Sequence, residues 1–249
     1  MNRCFKIRSS ASALVSLLLF AAQAHAGPAD YLYLPSVTSG EHEIDFKAGT
    51  AKRSGEGRES AASLGYGYGV NDFWFTEFYA KYKHAPDAAA GFDAFEWENK
   101  FQLTQPGQYP FDFGFITELE RPKDRREGYE VKFGPLMQTE FGKTQLNLNI
   151  LFQRNYRAAE SNSMRVGYQW QVKYRWIPEL DFGAQGFGDA GELRHFAPRR
   201  EQSHIAGPAI FGKFALGNRH AIKYNAAYLV DLGDNPHSKT LRTQIEYEF

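Results

Sequence analysis

The stretch that decides the fold is MRVGYQWQVKYRW, residues 164–176. Every second residue from Met164 to Trp176 is apolar or aromatic, and the residues between them are polar or glycine. Successive side chains of a strand point to opposite faces, so this period of two predicts a strand with one apolar and one polar face. The run is longer than most globular strands and matches a strand that crosses a membrane at a tilt.

The same alternation recurs along the chain. It is clear at residues 95–103 and 145–153, and the final run covers residues 239–249. Weaker runs lie at about 41–50, 60–69, 73–83, 110–121, 128–138, 179–187, 204–215 and 220–232. These runs predict an all-β fold, a transmembrane antiparallel β-barrel of about 12 strands in up-and-down order over residues 41–249.

The connections between these runs alternate between short and long. Short, turn-rich connections fall near residues 70–72, 105–107, 140–142, 177–179 and 217–219, and longer polar stretches lie between them. Outer-membrane barrels join their strands by short periplasmic turns and longer outer loops. We therefore expect both termini on the periplasmic side, with residues 27–40 forming an N-terminal periplasmic segment.

The first 26 residues have the pattern of a secretory signal peptide. Arg3, Lys6 and Arg8 precede an apolar run at residues 13–22, and the small residues 24–26 offer a cleavage site. The run is shorter than the roughly 20 residues that a membrane-spanning helix needs, which leaves an uncleaved anchor as the weaker alternative. Removal of residues 1–26 also removes Cys4, so the mature chain has no cysteine.

Charge argues against a nucleic-acid partner. The chain has 29 basic and 29 acidic residues, and loss of the three bases in residues 1–26 leaves 26 against 29, a net charge near −3. Nucleic-acid-binding domains are instead strongly basic.

The charged residues of the predicted strands fall mostly on one face. Charge facing lipid costs up to a few kcal/mol, so this face is expected to line the lumen. The predicted lumen-lining residues are Glu77, Lys81, Glu96, Glu98, Lys100, Glu130, Lys132, Arg165, Lys173, Arg175, Arg242 and Glu246. We expect a mixed-charge aqueous path that gives passive passage to a small polar solute. The alternative is a plugged structural or interaction barrel in which opposite charges pair and fill the lumen.

The last strand ends on an aromatic residue at the carboxyl terminus. Ile245, Tyr247 and Phe249 alternate with polar residues, and this pattern resembles the outer-membrane β-signal. The resemblance implies recognition by the barrel-assembly machinery and insertion into a Gram-negative outer membrane. The whole mature length resembles small transporter-like proteobacterial barrels, including those associated with aromatic-degradation pathways. It carries over no ligand residue.

The outer face and the loops are expected to meet lipid. Aromatic residues of the apolar face fit the girdles that anchor barrels at membrane interfaces. The loop at residues 188–202 carries Arg194, Arg199 and Arg200, which are either solvated or in contact with lipopolysaccharide phosphates.

No residues form a convincing catalytic or metal site. Ser203 and His204 are adjacent, so on a strand they face opposite sides. The six histidines of the mature chain lie outside any close-spaced metal motif. We therefore predict no enzyme, cofactor or metal, with a lipid-modifying outer-membrane enzyme as the least favoured alternative.

Overall fold

A computed structural model describes residues 27–53, 57–86, 89–233 and 238–249. The predicted signal peptide, residues 1–26, lies outside the described residues. The strands are β1 His42–Arg53, β2 Arg58–Asn71, β3 Trp74–His84, β4 Gly91–Gln102, β5 Asp112–Pro122, β6 Tyr129–Phe141, β7 Thr144–Tyr156, β8 Arg165–Ile177, β9 Leu180–Glu192, β10 His195–Phe196, β11 Ser203–Gly217, β12 His220–Asp231 and β13 Ser238–Glu248. No helix among these residues is long and apolar enough to cross a bilayer.

Twelve of these strands form a closed antiparallel barrel, as predicted. Each strand from β1 to β9 pairs with the next, β9 continues to β11, and β13 pairs back with β1. Phe46 lies opposite Ile245 in the closing pair. The short strand β10 pairs only with the loop end of β9. Closure leaves no wall strand with a free edge, which hydrocarbon requires because it offers no hydrogen-bond partner.

The barrel is polar inside and apolar outside. On β4, Phe95 and Trp97 are 62% and 41% exposed, whereas Glu96 and Glu98 between them are 6% and 3% exposed. This reverses the arrangement of a water-soluble protein, where apolar side chains are buried. The exterior is therefore suited to lipid and the interior to water and charge.

Two-residue turns join β2 to β3, β6 to β7, β8 to β9 and β11 to β12 at one end of the barrel, which we call the turn end. The connection of β4 to β5 at this end, predicted as a short turn near residues 105–107, is longer and covers residues 103–111. The longer loops at the opposite end define the loop end. One of the two-residue turns joins β11 to β12, where Gly217 pairs with His220 around Asn218 and Arg219. Both central residues have positive φ, 50° and 68°, as the twist of a two-residue hairpin demands. His42 and Phe249 hydrogen-bond to each other at this end, so the wall begins and ends there.

Two glycine–proline pairs bend the wall. Pairing of β6 with β7 stops at Phe133 and resumes at Leu136, skipping Gly134 and Pro135. A Cβ atom on Gly134 would lie 1.9 Å from the carbonyl oxygen of Ile150, closer than any real contact. Gly207 and Pro208 interrupt the pairing of β11 with β12 in the same way. Only glycine permits this close approach of two backbones.

The prediction of a periplasmic segment at residues 27–40 is wrong. These residues, which we call the N-terminal segment, lie inside the barrel. Gly27 lies among residues of the loop end, such as Arg165, and the segment leaves at the turn end, where Gly40 donates to the carbonyl of Gly69. The reason is chemical: Leu32 and Tyr33 are buried inside the barrel and Tyr31 is partly buried there, which removes their apolar surface from water.

Candidate functional site: the barrel lumen

Tyr33 anchors the middle of the N-terminal segment. Its ring packs against an apolar patch of the inner wall made by Ile116, Leu136 and Leu151. The Asn149 side-chain amide donates to the Tyr33 carbonyl oxygen at 3.0 Å. The apolar contact and the polar one hold the segment at the same height, on the β5–β7 side of the barrel.

Tyr31 is held by charged groups. Its hydroxyl donates to the Glu98 carboxylate, and the Lys47 ammonium lies 3.1 Å from the centre of its ring. Lys47 also lies 3.6 Å from the ring centre of Tyr79 and 2.8 Å from the Asp45 carboxylate. A desolvated cation–π contact contributes on the order of 2 kcal/mol. The lysine therefore joins the segment to β1 and β3.

Arg242 holds the segment from the opposite wall. Its guanidinium donates to the carbonyl oxygen of Asp30 and, at 2.5 Å, to the side-chain oxygen of Gln185. The same guanidinium lies 4.0 Å from the ring centre of Phe187. Arg242 is 4% exposed, and a buried charge needs such partners to offset its lost hydration.

A belt of amide side chains continues from Arg242 around the wall. The Gln185 amide donates to Gln171 at 2.6 Å, Gln171 to Asn147 at 3.4 Å, and Asn147 to Gln138 at 3.0 Å. Gln185, Gln171 and Asn147 each accept from one neighbour and donate to the next, as an amide side chain allows. The belt fixes the polar lining of β6 to β9 without using a formal charge.

Three cavities surround the N-terminal segment. One of about 280 Å³ lies towards the turn end, and two of about 260 and 130 Å³ lie towards the loop end. The turn-end cavity has seven acidic and four basic lining residues, namely Glu41, Glu43, Asp45, Glu77, Glu98, Asp181 and Glu246 against Lys100, Lys173, Lys213 and Lys223. The larger loop-end cavity is balanced, with Asp30, Glu120, Glu130 and Asp189 against Lys81, Lys83, Lys132 and Arg165.

Charges at the loop end are paired across strands. Lys81 contacts Glu96 at 2.9 Å and Glu120 at 2.5 Å, and Lys132 contacts Glu118 at 2.7 Å. Arg165 binds Asp189 through two nitrogens, at 2.6 and 3.1 Å. Such pairs offset the cost of burying the charges. Removal of one partner costs several kcal/mol, because it leaves the other charge buried without a partner.

The predicted lumen-lining residues fall in two places. Eleven of them are buried in the lumen or line its cavities: Glu77, Lys81, Glu96, Glu98, Lys100, Glu130, Lys132, Arg165, Lys173, Arg242 and Glu246. Arg175 instead lies at the rim of the turn end, where it pairs with Glu140 and its side chain is 44% exposed. The alternation along a strand predicts which face a side chain lies on, but not whether it lies inside the lumen or at its rim.

Lys47, which contacts the N-terminal segment, and its partner Asp45 were not among the predicted lumen-lining residues. Asp45 and Lys47 alternate with Ile44 and Phe46 on β1, so the signal was present in a run that we ranked as weak. Tyr31 and Tyr33 had no signal of their own, because residues 27–40 form no strand.

The predicted assembly-signal residues lie on the outer face of β13. Ile245 and Phe249 are exposed, and Tyr247 stacks on Phe249 and on His220 of β12. This places the apolar positions of the last strand where another protein can reach them. Their recognition by an assembly machinery stays a prediction.

The candidate catalytic pair does not form a catalytic arrangement. Both ring nitrogens of His204 have polar partners, the Tyr168 hydroxyl at 2.7 Å and the Gln202 side-chain oxygen at 2.9 Å. Ser203, its neighbour on β11, is not one of them. A nucleophile and its base need to be within hydrogen-bond reach, which this pair is not.

Comparisons with known proteins support the fold. No protein-family model and no curated protein matches the chain. Among solved structures, the NanC porin is 12% identical with a TM-score of 0.58, covering 83% of this chain and 100% of that one. An outer-membrane channel from Pseudomonas putida F1 is 12% identical with a TM-score of 0.55, covering 88% and 99%. The KdgM porin, solved with disordered oligogalacturonate, is 8% identical with a TM-score of 0.52, covering 83% and 99%.

At these identities the likeness establishes the fold. The chain is a small closed β-barrel, and the three structures named are two porins and one outer-membrane channel. Together with the apolar exterior, the fold indicates an outer membrane as the location of the protein.

Proposed function

We propose that this protein is an outer-membrane channel for small polar solutes and that its own N-terminal segment closes it. The observation that carries the proposal is the course of residues 27–40 through a lumen lined by charged and amide side chains. A mixed-charge lining is what a passage for polar solutes requires. The segment occupies the middle of that passage, so transport requires it to move.

The excess of acidic residues in the turn-end cavity determines which solute charge the lumen favours. Seven carboxylates against four ammonium groups attract cations and repel anions, and a low-dielectric wall strengthens both effects. We therefore expect cationic and neutral polar solutes to pass more readily than anionic ones of the same size.

The plugged structural barrel is the alternative, and the anchoring contacts favour it. Tyr33 sits in an apolar patch, and Arg242, Asn149 and Glu98 each bind the segment. If these contacts are permanent, the lumen is filled and nothing passes. The two functions therefore differ in whether loosening the segment opens a path.

The test is solute flux into liposomes that contain the refolded mature protein. In the Tyr31→Ser/Tyr33→Ser variant the segment loses its ring contacts, and we expect faster uptake of small cationic and neutral solutes than in the wild type. The matched control is Tyr66→Ser/Tyr228→Ser, two tyrosines exposed on the outer face, which should leave flux unchanged. A folded Tyr31→Ser/Tyr33→Ser barrel that admits no solute would favour the plugged barrel.

A further inference from the structure

One group of three carboxylates in the turn-end cavity differs from the charges at the loop end, which form ion pairs. An oxygen from each of Glu43, Asp45 and Glu77 lies within 4.8 Å of an oxygen of the other two. All three residues line the turn-end cavity, and Asp45 and Glu77 are 1% and 3% exposed. Like charges this close repel one another unless a cation lies among them.

The hydrogen bonds of Asp45 are one-sided. Its Oδ2 atom accepts from the Tyr79 hydroxyl at 2.9 Å and from the Gln244 amide at 3.0 Å, and it lies 2.8 Å from the Lys47 ammonium. Its Oδ1 atom has no hydrogen-bond partner among the described residues. Two hydrogen-bond donors and the Lys47 ammonium therefore fix the orientation of the carboxylate and leave one oxygen available, as outer-shell groups do for a metal ligand.

Glu77 also presents an unpartnered oxygen. Its Oε1 atom is buried and accepts no hydrogen bond from the part of the chain that the structure describes. A buried carboxylate oxygen without a donor or cation is costly. The charges that act most strongly on Glu43 and Glu77 are four carboxylates, Asp45, Glu77, Glu98 and Glu246, and two ammonium groups, Lys47 and Lys100. The cluster has an excess of negative charge.

A second carboxylate cluster in the lumen differs from the first in its contacts with lysines. Glu96, Glu98 and Glu118 also lie within 4.8 Å of one another. Glu96 contacts Lys81, Glu118 contacts Lys132 and Glu98 accepts from the Tyr31 hydroxyl, although Glu118 Oε1 is also buried without a hydrogen-bond partner among the described residues. Two lysines therefore lie in contact with that cluster, whereas one described lysine, Lys47, contacts the cluster of Glu43, Asp45 and Glu77.

We propose that Glu43, Asp45 and Glu77 bind a hard divalent cation of the Ca²⁺ type. Ca²⁺ takes oxygen ligands at about 2.3–2.6 Å, so one ion can bridge oxygens that lie up to about 5 Å apart. Carboxylates fill three of its six to eight positions, and water in the adjoining cavity of about 280 Å³ supplies the others. The bound ion neutralises the lumen at the point where the turn-end cavity meets the N-terminal segment. This site does not depend on whether the barrel conducts.

The test is metal binding to the refolded mature protein in a non-ionic detergent, which avoids the Ca²⁺ that anionic lipids would bind. Calorimetric titration with Ca²⁺ should show one saturable site. Tb³⁺ should compete for it and luminesce on tyrosine excitation, because the Tyr79 hydroxyl contacts Asp45. Glu77→Gln should weaken both signals by about tenfold or more.

Glu118→Gln is the matched control, since it removes one buried lumen carboxylate of the same charge from the cluster that two lysines contact. It should bind Ca²⁺ as the wild type does. If Glu77→Gln fails to fold, Glu43→Gln replaces it, because Glu43 is only partly buried and tolerates change more easily. The proposal is overturned by a wild type without saturable Ca²⁺ binding, or by equal weakening in the Glu118→Gln and cluster variants.

Discussion

Lys47 offers the strongest test of the packing inside the lumen. It is 2% exposed, 2.8 Å from the Asp45 carboxylate and stacked over the rings of Tyr31 and Tyr79. Lys47→Met keeps most of the side-chain volume but removes the charge. Breaking a buried ion pair from one side costs about 3–5 kcal/mol, and loss of two cation–π contacts acts in the same direction. We expect the free energy of unfolding to fall by about 3 kcal/mol or more.

The assay is equilibrium unfolding in urea, with the protein in micelles and followed by tryptophan fluorescence. Lys52 is an exposed lysine near the loop end of the same strand. Lys52→Met is therefore the control and should change the free energy of unfolding by about 0.5 kcal/mol at most. Lys47→Met/Asp45→Asn should recover part of the loss, because the double variant no longer leaves a carboxylate unpaired. A loss below about 1 kcal/mol in Lys47→Met would refute the buried pair as a stabilising contact.

Three further predictions concern the wall and the loops. Gly134→Ala should lower the free energy of unfolding by about 1–3 kcal/mol, since its Cβ would lie 1.9 Å from the Ile150 carbonyl oxygen, whereas Gly91→Ala, with nothing within 4 Å, should be neutral in the same urea assay. Trypsin on intact cells should cut at Arg125, Arg126, Arg199 or Arg200, all exposed at the loop end, and protection of all four would contradict the predicted orientation. Hydrogen bonds from Arg126 lower the pKa of Asp124 to about 2, so the turn they stabilise should be intact above pH 4 and lost as the pH falls through about 2. Arg126→Ala keeps the backbone hydrogen bond but loses the side-chain ones, so it should raise the pKa of Asp124, and a carboxyl NMR titration of the wild type with a midpoint near 4 would contradict the prediction.

The wall of the barrel was predictable because its signal is local. The alternation at residues 164–176 reflects a strand with lipid on one side and water or polar groups on the other, and no distant residue alters that pattern. The same logic identified the inward face of β4, where Glu96 and Glu98 are buried between exposed aromatic residues. The alternation does not predict how far inside the barrel a side chain lies. Arg175 is on the same face of β8 as Lys173, but it lies at the rim of the turn end.

The interior was less predictable because it depends on contacts between distant residues. Tyr33 is bound by Asn149, and Asp30 by Arg242, across separations of 116 and 212 residues. The N-terminal segment has no periodicity, and nothing in its own residues distinguishes a chain in the periplasm from one inside a barrel. Its position follows only when the strands have closed and the apolar patch of Ile116, Leu136 and Leu151 faces the lumen.

Single-channel recording of the refolded mature protein in a planar bilayer tests the central claim most directly. The wild type should be mostly closed, and Tyr31→Ser/Tyr33→Ser should show frequent discrete steps that favour cations. Charge reversal at Arg165 and Lys173, which line the loop-end and turn-end cavities, should shift the ion selectivity of those steps. A wild type that conducts as steadily as the variant would contradict closure by the N-terminal segment, and a folded variant that stays silent would contradict the channel itself.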